Sequence, residues 1–379
     1  MYRLGFLVLL LTFVWACPQE GKHFDFEPED TTADPDLGGD GVLPLEVVDP
    51  VDTGPSFGNI IGWKVVNVGD NEVWNDMYGI DLGGGSYQLY LAGGLGAVKW
   101  FSSAGGVWTS LNLGSNVEVN SVYAVSPEYV AICGEGGLVK RYFDWTTTGE
   151  PSWTNDTSGL TQDLEAIHGT SQDDIWAVGA EGSVVHFADG AWQHVQPGAI
   201  GLTGTPPPDL LSVYSVSPNK TYIGGEGVFI LYEDGLFSIN TDPIFTEYEV
   251  RNIQVLGGKL WVAAGKSGDE GNVYEMKEDG SFALHEPNTY SPFNAIWISP
   301  SSGKVYAAGE HPPPTVWVFD GNDTDSWDYL PVEPPTFIKQ AYPDRISPNS
   351  RISDMWGVDD ENFYVSTKEK QIIHYALHE

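Results

Sequence analysis

Basic residues are scarce in this sequence: 17 Lys and Arg stand against 53 Asp and Glu, a net charge of −36 over 379 residues. A surface of that sign repels phosphate backbones and acidic headgroups, which argues against nucleic acid and against direct docking on anionic lipid. Basic partners or divalent cations suit it better. Cysteine is scarcer still. With only Cys17 and Cys133 there is no disulfide framework, and Cys133, at the end of the apolar run Val130 to Cys133, is expected to be a buried thiol. Long apolar runs are confined to Leu4 to Val14, too short to span a bilayer. No amphipathic pattern longer than two helical turns occurs. Signatures of chemistry are missing as well: no nucleophile elbow, phosphate loop or dinucleotide fingerprint. The eight histidines (His23, His168, His186, His194, His285, His311, His374 and His378) show no zinc spacing. No metal site, cofactor or catalytic residue is therefore assigned, and the chain is expected not to be an enzyme.

What the chain has in quantity is turn formers and rings: 45 Gly and 25 Pro, with 14 Trp, 18 Tyr and 16 Phe, a composition for short strands joined by many turns. The stretch from Leu164 to Val195 shows the unit. Leu164 to Gly169, Ile175 to Val178, Ser183 to Phe187 and Ala191 to Val195 read as four strands. Between them lie a polar turn at Thr170 to Asp174, a Gly179-Ala180-Glu181-Gly182 turn expected to need positive φ, and the hairpin signal Asp189-Gly190.

Looser copies run from about residue 60 to the end. Marked by the residue at the His168 position, they fall at 78, 123, 168, 214, 254, 297 and 356, in steps of 45, 45, 46, 40, 43 and 59. Four strands repeating every 40–50 residues define a β-propeller, so the fold class is all-β with seven blades. The last copy has only three strands. Gly62-Trp63-Lys64-Val65-Val66, just ahead of the first copy, carries the early Trp of a fourth strand. A strand at about 61–67 is expected to complete the C-terminal blade and close the ring, which removes two open sheet edges. The repeated Trp, Gly and Asp-Gly positions, His168 included, are expected to serve blade packing and turns.

The N-terminal region divides into a leader, residues 1–16, and an acidic linker, residues 17–56, ahead of the propeller at 57–379. Met1-Tyr2-Arg3 and the apolar run after it have the form of an export signal. Val14-Trp15-Ala16-Cys17 resembles a bacterial lipobox, although Trp15 stands where that family has a small residue. The resemblance implies lipidation of Cys17 and an acyl anchor rather than a membrane span. Pro18 occupies the position where that family places a retaining Asp, which implies the outer membrane or cell surface. Residues 18–56 hold eleven Asp and Glu against one Lys, without apolar periodicity, and read as a self-repelling spacer with a reach of about 30–40 Å. The spacer contributes −10, and the propeller itself remains at −27. Asp34 to Gly41 lacks the ligand spacing of a calcium loop and belongs to the spacer.

The runs Asp173-Asp174-Ile175-Trp176-Ala177-Val178-Gly179 and His186-Phe187-Ala188-Asp189-Gly190-Ala191-Trp192 resemble repeats of extracellular propeller lipoproteins of myxobacteria and related deltaproteobacteria. These are related at a distance to WD40, Asp-box and photosystem-assembly propellers. The resemblance implies a propeller in the envelope and leaves activity open. Propeller glycosidases use an arginine cluster and a Ser-x-Asp-x-Gly-x-Thr-Trp turn; here Ala188 to Trp192 lacks the Ser and Thr, and the propeller has only Arg141, Arg251, Arg345 and Arg351.

Function is therefore expected on irregular loops. The longest departures from the repeat are 196–209, 266–270, 310–315 and 330–350, all on the face where blades are joined. The leading expectation is a lipid-anchored, non-enzymatic interaction module of the bacterial envelope, binding a protein partner through the loops of blades 5–7. His311, Phe337, Tyr342 and Arg345 are its candidate anchors. The alternative is a carbohydrate-binding or carbohydrate-active secreted propeller, which calls for open aromatics beside paired carboxylates on the central funnel. Ca²⁺ is conceivable at Asp320, Asp323 and Asp325.

Overall fold

The structure, a computed structural model, describes residues 60–69, 71–143, 152–266, 270–285, 291–311, 314–321, 326–332 and 350–378. Seven four-stranded antiparallel sheets follow one another along the chain. In the central blade the strands are Leu164–Ser171, Asp174–Gly179, Ser183–Ala188 and Ala191–Val195, paired in that order. Numbering blades in chain order, blade 7 is built from Ile352–Asp359, Asn362–Thr367, Ile372–His378 and, as its outer strand, Ile60–Val66. The expected closure is present. Trp63 lies opposite Tyr375, and its ring meets Phe363 at 5.3 Å and Tyr375 at 4.9 Å.

The second strand of each blade reads as an unbroken apolar run because it is covered on both faces. Asp174–Gly179 and Tyr129–Gly134 are buried at every position, Cys133 among them as expected. The core is divided rather than continuous: seven apolar clusters each join two adjacent blades, as Trp176, Val178, Leu210 and Ile223 join blades 3 and 4. Each blade thus buries its faces only against its neighbours, and the ring needs all seven.

The turn at 179–182 has the positive φ expected of it, and its first Gly has a further role. Gly179 is extended, with φ −176°, and the positive φ falls on Glu181 and Gly182. What Gly179 provides is space. A Cβ there would lie 2.0 Å from the carbonyl oxygen of Asp163, the residue on which the N–H of Ala180 docks at 2.9 Å. The same clasp recurs as Gly94 on Val73, Glu135 on Glu118, Glu226 on Asp209, Glu310 on Pro292 and Lys368 on Arg351. It binds the turn between the second and third strands to the loop that enters the blade, so these two loop sets form one face, called the upper face below.

Candidate functional site

Every inner strand carries an extra residue near its start, and those of blades 1, 2, 3, 4 and 7 slip again near their far end. The pairing with the second strand slips at Asn75, Asn120, Glu165, Leu211, Arg251, Asn294 and Ser353, one bulge per blade at the same place. All seven bulged residues line a central cavity of about 380 Å³ that follows the ring axis. Several stitch blade to blade. Asn75 Nδ2 donates to Val119 O at 3.0 Å, Asn120 Nδ2 to Leu164 O at 3.0 Å, Asn294 Nδ2 to Ile352 O at 2.9 Å, and Ser353 Oγ to Trp74 O at 3.0 Å.

The residue after each bulge forms a second tier. Asp76 accepts Ser121 Oγ at 2.6 Å and Val122 N at 2.8 Å, while Asp354 accepts Met77 N at 3.0 Å. Asp76 and Asp354 also meet each other where blade 7 closes on blade 1. Burial raises both carboxyls above their ordinary range, and a shared proton holds them together.

Below this lies a collar. Tyr78, Tyr123, His168, Tyr214, Gln254, Trp297 and Trp356 occupy the marker position of the repeat, and all but Tyr123 line the cavity. His168 packs between rings of the neighbouring blades, as expected, and ring closure also turns this position toward the axis. On blades 1–4 the rings form a chain of contacts, edge-on for Tyr78–Tyr123 at 5.1 Å between centroids, tilted for Tyr123–His168 at 4.7 Å and stacked for His168–Tyr214 at 4.3 Å. His168 Nδ1 accepts the N–H of Ser215, so its proton sits on Nε2, and burial depresses its pKa to about 3. His186 and His374 are structural, as expected: each stacks on a ring of the second strand, Trp176 at 3.8 Å and Tyr364 at 3.9 Å, and bonds Asp174 or Asn362.

Charge divides the upper face. The loops of blades 5–7 hold Arg251 between Glu249 and Glu310, Lys368 on Glu310, and Arg351 on Glu369. His311 leads this rim. It is half-buried, with its ring 6.4 Å from Trp317, which in turn lies 5.9 Å from Tyr329, a residue 64% exposed. Phe337, Tyr342 and Arg345, like Cys17, Asp323 and Asp325, lie outside the described residues. Asp320 is exposed at the end of its strand. Arg141 is bound to Asp156 on blade 2, far in sequence and blade order from Arg251 and Arg351, so the described arginines form no cluster. Within the loop at 196–209, Ile200 and Leu202 join the core between blades 3 and 4.

Blade number, closure and axial cavity define the molecule as a seven-bladed β-propeller. No protein-family model and no curated protein matches the sequence. Solved structures share the fold. YCF48 bound to D1 peptide is 15% identical with a TM-score of 0.58, over 83% of this chain and 96% of that one. The WD40 propeller domain of Doa1 is 13% identical with a TM-score of 0.58, over 84% and 97%. The extracellular domain of a hybrid two-component system from B. thetaiotaomicron is 14% identical with a TM-score of 0.62; the match covers 83% of this chain but 40% of that one. At such identities the likeness is one of fold.

Proposed function

We propose that this chain is an exported, lipid-anchored interaction propeller of a bacterial envelope that binds a protein partner through the upper rim of blades 5–7 and has no catalysis of its own. The observation that carries this reading is the aromatic corner of blade 6. His311, Trp317 and Tyr329 stand in one line of ring contacts beside a network in which Arg251 and Lys368, from blades 5 and 7, converge on Glu310 of blade 6. Half-buried rings leading to an exposed one, Tyr329, on a rigid, ion-paired base are what a hot spot requires. The shared fold supports it in a general way, since YCF48 has been solved with a peptide bound and another neighbour is an extracellular domain.

The carbohydrate alternative asks for open rings beside separated carboxylates. In the channel the rings of blades 1–4 are packed against one another, and Asp76 and Asp354 are in contact. Glycosidase pairs stand about 5–9.5 Å apart to admit a sugar oxygen or a water, so this pair lends no support to hydrolysis.

The test is cross-linking of the full chain in its native envelope, comparing wild type with His311→Ala/Tyr329→Ala and with Leu236→Ala, a 75%-exposed position on blade 4. Loss of a cross-linked partner in the first variant and retention in the second is expected. Retention in both removes the rim from consideration. Intact mass and membrane fractionation of Cys17→Ser, expected to be soluble and without acyl mass, test the anchor.

A further inference from the structure

The opposite half of the upper face meets cations only at loop 154–163, where Arg141 pairs with Asp156 and Lys140 reaches Thr154 O. Its loops, residues 111–118, 135–137, 154–163, 180–182, 196–209 and 226–227, contain no Lys or Arg at all. They present Glu118, Asp163, Glu181, Asp209 and Glu226. Glu165, the bulged residue of blade 3, extends this acid crescent onto the cavity wall. The crescent carboxylates use backbone N–H groups and amides where they bond at all: Asp163 accepts Gly136 N, Asp209 accepts Glu181 N, and Glu118 accepts Asn75 Nδ2. Among the described residues Glu165 has only Asn120 Nδ2, at 3.4 Å. Burial, followed by Asp163, Asp209 and Glu118, raises its pKa. A half-buried carboxylate kept among like charges at the edge of a cavity is electrostatically unfavourable in the free protein, and such frustration collects where a ligand supplies the missing charge.

Cavity and charge together define the ligand. A volume of about 380 Å³ is near the small end of ligand sites, about 300–1,000 Å³, and suits a side chain rather than a folded element. The rings of Tyr78, Tyr214 and Trp356 on the wall are compatible with a cation and not with an anion. The wall's own cation, Arg251, is neutralised by Glu249 and Glu310. Among the described residues no three His, Cys, Asp or Glu are grouped as metal ligands, which disfavours a bare divalent ion.

We propose that the channel mouth is a second binding site, which takes an extended Lys/Arg-rich peptide segment lying on the crescent of blades 2–4, with one cationic side chain entering the cavity against Glu165. This site is separate from the rim of blades 5–7 and does not depend on it. Ammonium or guanidinium groups displace no contact of Glu165 with the described residues beyond the long Asn120 bond, and they meet carboxylates on three blades at once.

The probe is a fluorescein-labelled, end-capped Gly-Lys-Arg-Lys-Arg-Gly peptide, with Gly-Gln-Gln-Gln-Gln-Gly as control, titrated with the purified propeller by anisotropy. Binding of the basic peptide alone is expected, weakened strongly by added salt. Glu165→Gln keeps the shape and the amide contact and is expected to lower affinity by roughly tenfold or more, with the fold retained in near-UV circular dichroism. His311→Ala/Tyr329→Ala is expected to bind the peptide as wild type does, so loss of the rim site and loss of this site are read separately. Equal binding of both peptides, or of the basic peptide to wild type and Glu165→Gln, overturns the assignment. So does Ca²⁺ that binds at micromolar concentration and is not displaced by the peptide, since a metal ion would then be the occupant.

Discussion

Asp354 joins blade 7 to blade 1 in two ways, and Asp354→Ala and Asp354→Asn separate them. Its carboxyl accepts the buried N–H of Met77 at 3.0 Å and shares a proton with Asp76. Alanine removes both. The Met77 N–H is then buried without an acceptor, at a cost of about 1–3 kcal/mol. Asp76 keeps Ser121 and Val122 as donors but loses the hydrogen bond from Asp354 that lowers its pKa. A net loss of about 2–3 kcal/mol follows, or roughly 4–10 °C in Tm for a domain of this size. Asparagine keeps an acceptor for Met77 and offers Asp76 a permanent donor, so Asp354→Asn is expected to melt within about 2 °C of wild type near pH 5. The pH dependence has a defined sign. Both carboxyls are raised in the folded ring. The folded state thus holds a proton that the unfolded chain releases near pH ~4. The stability linked to it is complete below that pH and is lost as pH rises through the raised value. Thermal melts of wild type and Asp354→Asn between pH 5 and pH 8 should diverge, with the wild type falling faster. If asparagine is as damaging as alanine at both ends, or if the two curves stay parallel, the shared proton is not what holds the seam.

Two further outcomes rest on the same axis. Gly79→Ala would place a Cβ 2.1 Å from Cε2 of Trp356 across the seam, so a loss of about 1–3 kcal/mol in urea unfolding is expected. Gly198→Ala, with nothing within 4 Å, should be silent. His168, depressed to about 3, should show no imidazole titration between pH 5 and 8 by NMR. Its contribution runs opposite to that of the acid pair: the unfolded imidazole takes up a proton near pH ~6.5, so stability is complete above that pH and declines as pH falls toward 3. An ordinary titration curve for His168 would contradict its place between Tyr123 and Tyr214.

Much of the ring was legible in the sequence because its causes are local. A second strand buried on both faces must be apolar, as in Ile175 to Val178, and a two-residue hairpin needs positive φ, as at Asp189 and Gly190. Such features repeat at the blade spacing and can be counted. Trp63 was legible as the missing fourth-strand Trp for the same reason. The channel was not. An aromatic at the His168 position has the same pattern whether or not it also faces the axis, and only closure of seven blades decides that. The bulges leave no residue preference, since Asn, Glu, Leu, Arg and Ser all occupy them. Asp76 and Asp354 stand at opposite ends of the propeller's sequence and become neighbours only through the ring. The steric role of Gly179 was not legible, because the carbonyl of Asp163 that the entering loop brings close to it is not local to the turn.

The closing strand also fixes an order of events. Ile60–Val66 finds its partner, Ile372–His378, only after about 300 intervening residues have been made. The entropy of joining ends so distant grows only slowly with length, roughly 0.6 kcal/mol per doubling, so the clasp is thermodynamically inexpensive. In time it is the last step available. Until the final strand has emerged, blade 7 lacks its outer edge and the Asp76–Asp354 seam cannot form. A chain that cannot complete its ring before this strand appears acquires its full resistance to unfolding only after Ile372–His378 has been made.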